Sequence, residues 1–198
     1  MLPIRDVIPS HGIPVATLTL LLINALVFAV QLMADAVIVV AWPASLFMHT
    51  GVAHFVVNAV FLWLFGENVE ARMGRPRFVL FYILCGIAAA LVHGWLGAEG
   101  RAPIVGASGA IGGVIGAYLV LYPRSRVLMF VPLPLSLVEV PAVAFVGMWF
   151  VLQFAITAAV VHALGLDVSG AALLISHLVA FASGGVLCLA FRRPVVWT

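Results

Sequence analysis

Four side chains able to do chemistry stand in stretches that are otherwise almost wholly apolar. His54 and Asn58 lie in HTGVAHFVVN, Ser108 in IVGASGAIGGVIGAY, and His177 in ISHLVAFASGG. His54 and Asn58 are four residues apart, so a helix carries them on one face, one turn apart. A serine hydroxyl becomes a nucleophile when a base takes its proton, and His177 on a separate segment is the base the sequence offers. Attack on an amide carbonyl creates an oxyanion that needs hydrogen-bond donors aimed at it. The Asn58 amide, the His54 imidazole and the Ser108 backbone N–H near a helix start can supply them. Asp35 and Asp167 sit at the ends of apolar runs rather than beside His177, which favours a Ser–His dyad over a triad.

The elements that must position these residues follow from composition. The 198-residue chain is 65% hydrophobic and 8% charged, with mean hydropathy +1.27. A soluble domain carries roughly 25% charged residues, so the chain reads as an integral membrane protein with the bilayer as its solvent. The expectation is an all-α, polytopic, six-helix membrane bundle forming a single domain over residues 1–198. Spans are expected near 17–33, 53–69, 78–96, 104–122, 141–161 and 168–191, each about the 20 residues that a bilayer core needs. No basic stretch, short apolar core and small-residue cleavage site read as a signal peptide. Cys85 and Cys188 fall inside apolar runs and read as packing thiols. No nucleic-acid partner is expected.

All nine basic residues are arginine. Under a six-span count Arg5, Arg72, Arg75, Arg77, Arg124, Arg126, Arg192 and Arg193 fall on one side, with Arg101 alone opposite. The positive-inside rule then makes both termini cytoplasmic. Spans 2, 4 and 6 all start on the outer side, so His54, Asn58, Ser108 and His177 share a depth. The glycines acquire a purpose in the same frame. Gly109, Gly112, Gly113 and Gly116 form a stripe beside Ser108, and Ala180 and Gly184 lie on the His177 face of span 6. In lipid, small faces that let backbones approach bring helices together. The stripe is expected to draw span 4 onto span 6. Read singly, each feature has a blander meaning: small stripes pack bundles, serines back-bond to carbonyls, and a buried histidine can bridge helices or relay protons. The conjunction points to catalysis. His11, His49, His93 and His162 are expected at interfaces or in packing. Phe145, Trp149, Phe150 and Phe154 are expected to be lipid-facing bulk, and Glu67, Glu70 and Arg72 an interfacial charge network.

These residues resemble the rhomboid intramembrane serine proteases. The resemblance rests on LLINALVF, on FMHTGVAHFVVNAVFLWLFGENVEARMG, on VGASGAIGGVIGAYLVLYP, and more weakly on VPA…W…Q and SHLVAFASGG. It implies a six-helix bundle that cleaves single-span membrane proteins near the outer end of their helix, with Ser108 as nucleophile and His177 as base. It further implies that His54 and Asn58 contribute to the oxyanion hole, that water enters from the outer face, that span 5 and the loop capping the site gate substrate entry, and that no metal or cofactor takes part. The sequence departs from the family pattern at Ala180, where glycine is usual, and in the short apolar stretch between Met33 and His49. The alternatives are a catalytically silent relative that escorts membrane clients, and a small transporter using His54 and His177 as a proton path. A bacterial plasma membrane is the expected location, with transmembrane proteins as substrates.

Overall fold

A computed structural model of the chain describes residues 2–8, 12–34, 44–96, 106–132, 135–164 and 169–193. Among the described residues six α-helices follow one another: α1 (Val15–Ala34), α2 (Val52–Met73), α3 (Arg75–Leu96), α4 (Ser108–Leu121), α5 (Ala142–Leu164) and α6 (Ser169–Phe191). Among the described residues, Val15–Met33, Val52–Met73 and Arg75–Trp95 are long and apolar enough to cross a membrane. The chain is thus a polytopic membrane bundle, and its helices fall within a few residues of the spans expected from hydropathy. Of the polar residues singled out in the sequence, His11, Asp35, Arg101 and Asp167 lie outside the described residues. So do residues 35–43 of the stretch between Met33 and His49, and the side chains of Phe154 and His162.

A tight approach between α4 and α6 organises the bundle. A Cβ on Gly184 would fall on the backbone of Gly113, and one on Gly116 would fall on the Phe181 carbonyl. Only hydrogen fits at either place. Gly113 also receives the Cys85 side chain of α3, so the stripe accepts two helices rather than one. Gly112 is less crowded: a Cβ there would stand 3.7 Å from both the Ala180 Cβ and the His177 carbonyl oxygen. The Ala180 methyl therefore has room over Gly112, and the alanine does not push the helices apart. Gly109 is buried in the first turn of α4.

Two sequence expectations are corrected. Phe145, Trp149 and Phe150 turn inward instead of facing lipid. Phe145 and Trp149 pack on Phe61 of α2 at centroid distances of 5.5 and 4.9 Å. Phe150 meets Phe181 of α6 edge-on at 5.1 Å. The expected Glu67–Glu70–Arg72 network does not form either. Glu70 reaches α1, where its carboxylate accepts the N–H of Ala16 at 3.0 Å, the N–H of Thr17 at 2.7 Å and the Thr17 hydroxyl at 2.8 Å. Those N–H groups have no intrahelical acceptor, and an anion there also meets the positive end of the helix dipole. Arg72 instead lies over the Tyr122 ring, 5.9 Å from its centroid.

The sequence reading also missed a three-stranded antiparallel sheet, β1 (Leu2–Asp6), β2 (Arg126–Pro132) and β3 (Leu135–Pro141), in the order β1-β2-β3. Val127 and Met129 on one face of β2 are buried in the helical core. Asp6 pins β1 to the bundle by accepting hydrogen bonds from Asn68 of α2 at 2.5 Å and the Tyr118 hydroxyl of α4 at 2.8 Å. The sheet closes the end of the bundle that carries Arg72, Arg75 and Arg193, called here the basic end.

The glycine geometry predicts an ordering of substitutions. Gly184→Ala and Gly116→Ala should each destabilise the chain by about 1–3 kcal/mol through overpacking against backbone, whereas Gly112→Ala should change stability by less than about 1 kcal/mol. Thermal unfolding of the three variants in detergent checks the ordering, and equal losses at all three positions would contradict it.

Candidate active site

Ser108 is the first residue of α4, and α4 is short. Its 14 residues rise about 21 Å against the roughly 30 Å of a bilayer core. His177 lies eight residues into α6, about 12 Å from its start. Because Gly112, one turn past Ser108, faces Ala180, three residues past His177, the two helices present serine and histidine at the same level. Both are buried, at 4% and 2% exposure. The serine therefore stands at the mouth of a recessed helix, below the end of its partner.

The start of α4 is held by the chain leading into α2. Ala107 donates its N–H to the Met48 carbonyl at 3.1 Å. A Cβ at Gly106 would collide with that same carbonyl. A 3₁₀ turn, Ala44–Phe47, leads into this contact, and Leu46 from it lies beside Gly86 of α3. The residue preceding Ser108 is thus bonded directly to the residue preceding His49.

From α2, His54 and Asn58 come to the same end of the bundle. The His54 Nδ1 accepts the Thr50 N–H at 3.3 Å and lies 3.0 Å from the Thr50 hydroxyl. Accepting the N–H places the proton of the neutral ring on Nε2, which makes that nitrogen a donor. His54 is also within electrostatic reach of His177. Asn58 is buried at 3% exposure, and its amide nitrogen has no hydrogen-bond partner among the described residues. A buried donor without a partner is costly, by about 1–3 kcal/mol. Such a group fits a site in which charge develops only during reaction.

His49 packs beside His54 at this end of the bundle. Its ring lies edge-on to His54 at 5.6 Å, to Phe55 at 5.2 Å and to Phe28 of α1 at 5.7 Å. Gln31 of α1 clamps its backbone from both sides, accepting the His49 N–H at 3.0 Å and donating to its carbonyl at 3.1 Å. Gln31 and Thr50 were absent from the sequence reading. The spacing of Thr50 four residues before His54 carried a signal, whereas Gln31 is distant in sequence and only the fold brings it here. His93, at the far end of α3, is buried at 5% exposure. The described residues include no group of histidine, cysteine and carboxylate side chains able to hold a metal.

Burial, with the neighbouring His54 ring, pushes the His49 imidazole from 6.5 down to about 4. Between these values the unfolded chain binds a proton that the folded chain does not. The contribution to stability is complete above about pH 6.5 and is lost as the pH falls towards 4. His49→Phe keeps a ring against Phe28 and Phe55, so its melting temperature should fall less than that of the wild type over this window. A fall of equal size in both proteins would show that His49 does not carry the effect.

The Rhomboid domain family model matches residues 37–194. Rhomboid protein 1, mitochondrial, of Saccharomyces cerevisiae is 36% identical over 95 residues, covering 46% of this chain and 28% of that protein. Rhomboid protease GluP of Bacillus subtilis is 37% identical over 79 residues, covering 40% of this chain and 15% of that protein. Inactive rhomboid protein 1 of Drosophila melanogaster is 32% identical over 77 residues, 39% of this chain and 5% of that protein. The chain therefore spans less than a third of the length of each of these relatives. A six-helix membrane bundle, a glycine-mediated meeting of its fourth and sixth helices, and a family match over most of its length make this chain a member of the rhomboid family.

Proposed function

We propose that the chain is an intramembrane serine endopeptidase that hydrolyses peptide bonds of single-span membrane proteins near the outer end of their helix. The observation that carries the reading is the common level of Ser108 and His177 on two helices that touch one turn deeper, through Gly112 and Ala180. In this reading His177 takes the proton of the Ser108 hydroxyl as the oxygen attacks the scissile carbonyl, then delivers it to the leaving amine. The resulting acyl-enzyme is cleaved by water with the same histidine as base. The Asn58 amide, His54 Nε2–H and Ser108 N–H donate to the oxyanion, and the unpaired Asn58 nitrogen supports this assignment. A recessed serine gives the attacked bond the depth expected of a segment near the end of a membrane helix. Both termini lie in the cytoplasm in this reading, on the side of the arginine-rich loops, and the home is a bacterial plasma membrane.

The scissile bond must be unwound, because an intact helix holds its interior carbonyls in hydrogen bonds. Substrates should carry small or helix-breaking residues near the cut, and a wholly helical poly-leucine span should resist cleavage.

The silent-escort alternative has a specific reason to be kept in view, since one relative carries the printed description inactive. The presence of both Ser108 and His177 in this chain favours catalysis. Purified full chain with a tagged single-span substrate separates the two readings. Wild type should cut and take up a serine-reactive fluorophosphonate on Ser108, while Ser108→Ala and His177→Ala should be folded and inert. Asn58→Ala should lower kcat by about 10²-fold or more with little change in KM. A wild type inert towards several such substrates and unlabelled at Ser108 would overturn the protease reading in favour of the escort.

A further inference from the structure

At the basic end, far from Ser108, a cavity of about 300 Å³ lies where four helix ends meet. Its walls include Ile13 and Pro14 before α1, Glu67 and Glu70 of α2, Arg75 of α3, and Arg193 just past α6. The turn from α2 to α3 is built to present these groups. Gly74 has φ +82 and lies directly under the Arg193 guanidinium, where any Cβ would collide with it. The Arg193 N–H donates to the Arg72 carbonyl at 2.7 Å, which fixes the end of α6 to the same turn.

Charge in the cavity is unevenly distributed. Glu70 is occupied by its bonds to the start of α1, with Arg75 4.0 Å away. Glu67 is different: its Oε1 is buried and has no hydrogen-bond partner among the described residues. Asp6 stands nearby, its acidity weakened first by burial and additionally by the Glu67 carboxylate. Glu67 thus brings a carboxylate with an unpaired oxygen to one wall of the cavity, while Arg75 and Arg193 supply positive charge on its other walls. Beside the cavity Val15, Leu18 and Leu22 form an apolar stripe on α1, exposed by 40, 41 and 59%.

We propose that this cavity binds the head group of a primary-amine phospholipid, with the ammonium on Glu67, the phosphodiester between Arg75 and Arg193, and the acyl chains along the α1 stripe. A primary ammonium both neutralises Glu67 and donates to its unpaired oxygen. A choline head has no N–H to donate, and a glycerol head brings no positive charge. Basic cavities between membrane helices bind anionic heads by charge alone; the carboxylate here selects a zwitterion instead. The same amine-and-phosphate chemistry occurs in a free soluble head group, but only a lipid uses the exposed stripe.

The full chain is reconstituted in vesicles of phosphatidylethanolamine with phosphatidylglycerol, or of phosphatidylcholine with the same fraction of phosphatidylglycerol, and its Tm is measured. The wild type should melt higher in the ethanolamine vesicles, by about 5 °C. Glu67→Gln and Arg193→Gln should abolish that difference, and Arg77→Gln, an exposed arginine outside the cavity, should preserve it. A difference of unchanged size in Glu67→Gln would overturn the proposal, because it would come from the bilayer and not from this cavity. Soluble glycerophosphoethanolamine added to the choline vesicles is the second arm. If it stabilises wild type as fully as the lipid does, and Glu67→Gln not at all, the occupant is the free head group and the lipid assignment fails. Native mass spectrometry of wild type with equimolar ethanolamine and choline lipids needs no variant to fold. Retained ethanolamine adducts are expected, and equal retention of both would again overturn the assignment.

Discussion

The rest of the molecule depends on backbone meeting backbone between α4 and α6. In a bilayer, helices gain little from leaving lipid for one another, because lipid tails are as apolar as leucine. What remains is close packing, and it reaches its limit where Gly184 lies on Gly113 and Gly116 lies on the Phe181 carbonyl. Glycine is a poor residue in a soluble helix, at a cost of about 1 kcal/mol relative to alanine. In hydrocarbon the unwound alternative leaves backbone groups unsatisfied, so the helix persists and the glycines serve the close approach. The same approach sets Ser108 level with His177, which links packing directly to the proposed chemistry.

Buried polar groups do different work at the two ends of the bundle, and each end holds unpaired ones, Glu67 Oε1 among them. At the basic end they tie elements together across long sequence distances: Glu70 holds the start of α1, and Asp6 holds β1 to α2 and α4. Each tie satisfies backbone or side-chain donors that would otherwise be unpaired in a low-dielectric setting. At the opposite end the Asn58 amide nitrogen and His49 Nδ1 are buried without partners among the described residues. Buried polar atoms are nearly always satisfied in folded proteins. An unpaired Asn58 amide at the end of the bundle that carries Ser108 fits the oxyanion role proposed for it.

Among its described side chains, α5 meets its neighbours through large rings. Phe145, Trp149 and Phe150 fill the space between it, α2 and α6, and its start follows β3 without a linker. Ring packing of this kind tolerates sliding better than glycine-to-backbone contact, where a single methyl collides. The sheet in turn carries β2 against the core through Val127 and Met129, so the basic end is closed by a floor that the helices alone do not provide.

By itself the sequence determined the solvent, the six helices, and the candidate site residues, because hydropathy over 20-residue windows and polar atoms inside apolar runs are local signals that a bilayer amplifies. The small-residue stripe was legible for the same reason: period and residue size are written along one helix. Tertiary structure decided what depends on partners. The sheet was invisible because β1 and β2 are separated by more than a hundred residues and their pairing has no local signature. The inward aromatics of α5 and the reach of Glu70 to Thr17 followed from which helix lies opposite, a choice made by the whole packing. The Gln31 clamp on His49, the protonated nitrogen of His54 and the unpaired amide of Asn58 belong to the same class. A side chain's type is local, but its hydrogen-bond partner is a property of the neighbours that folding brings to it.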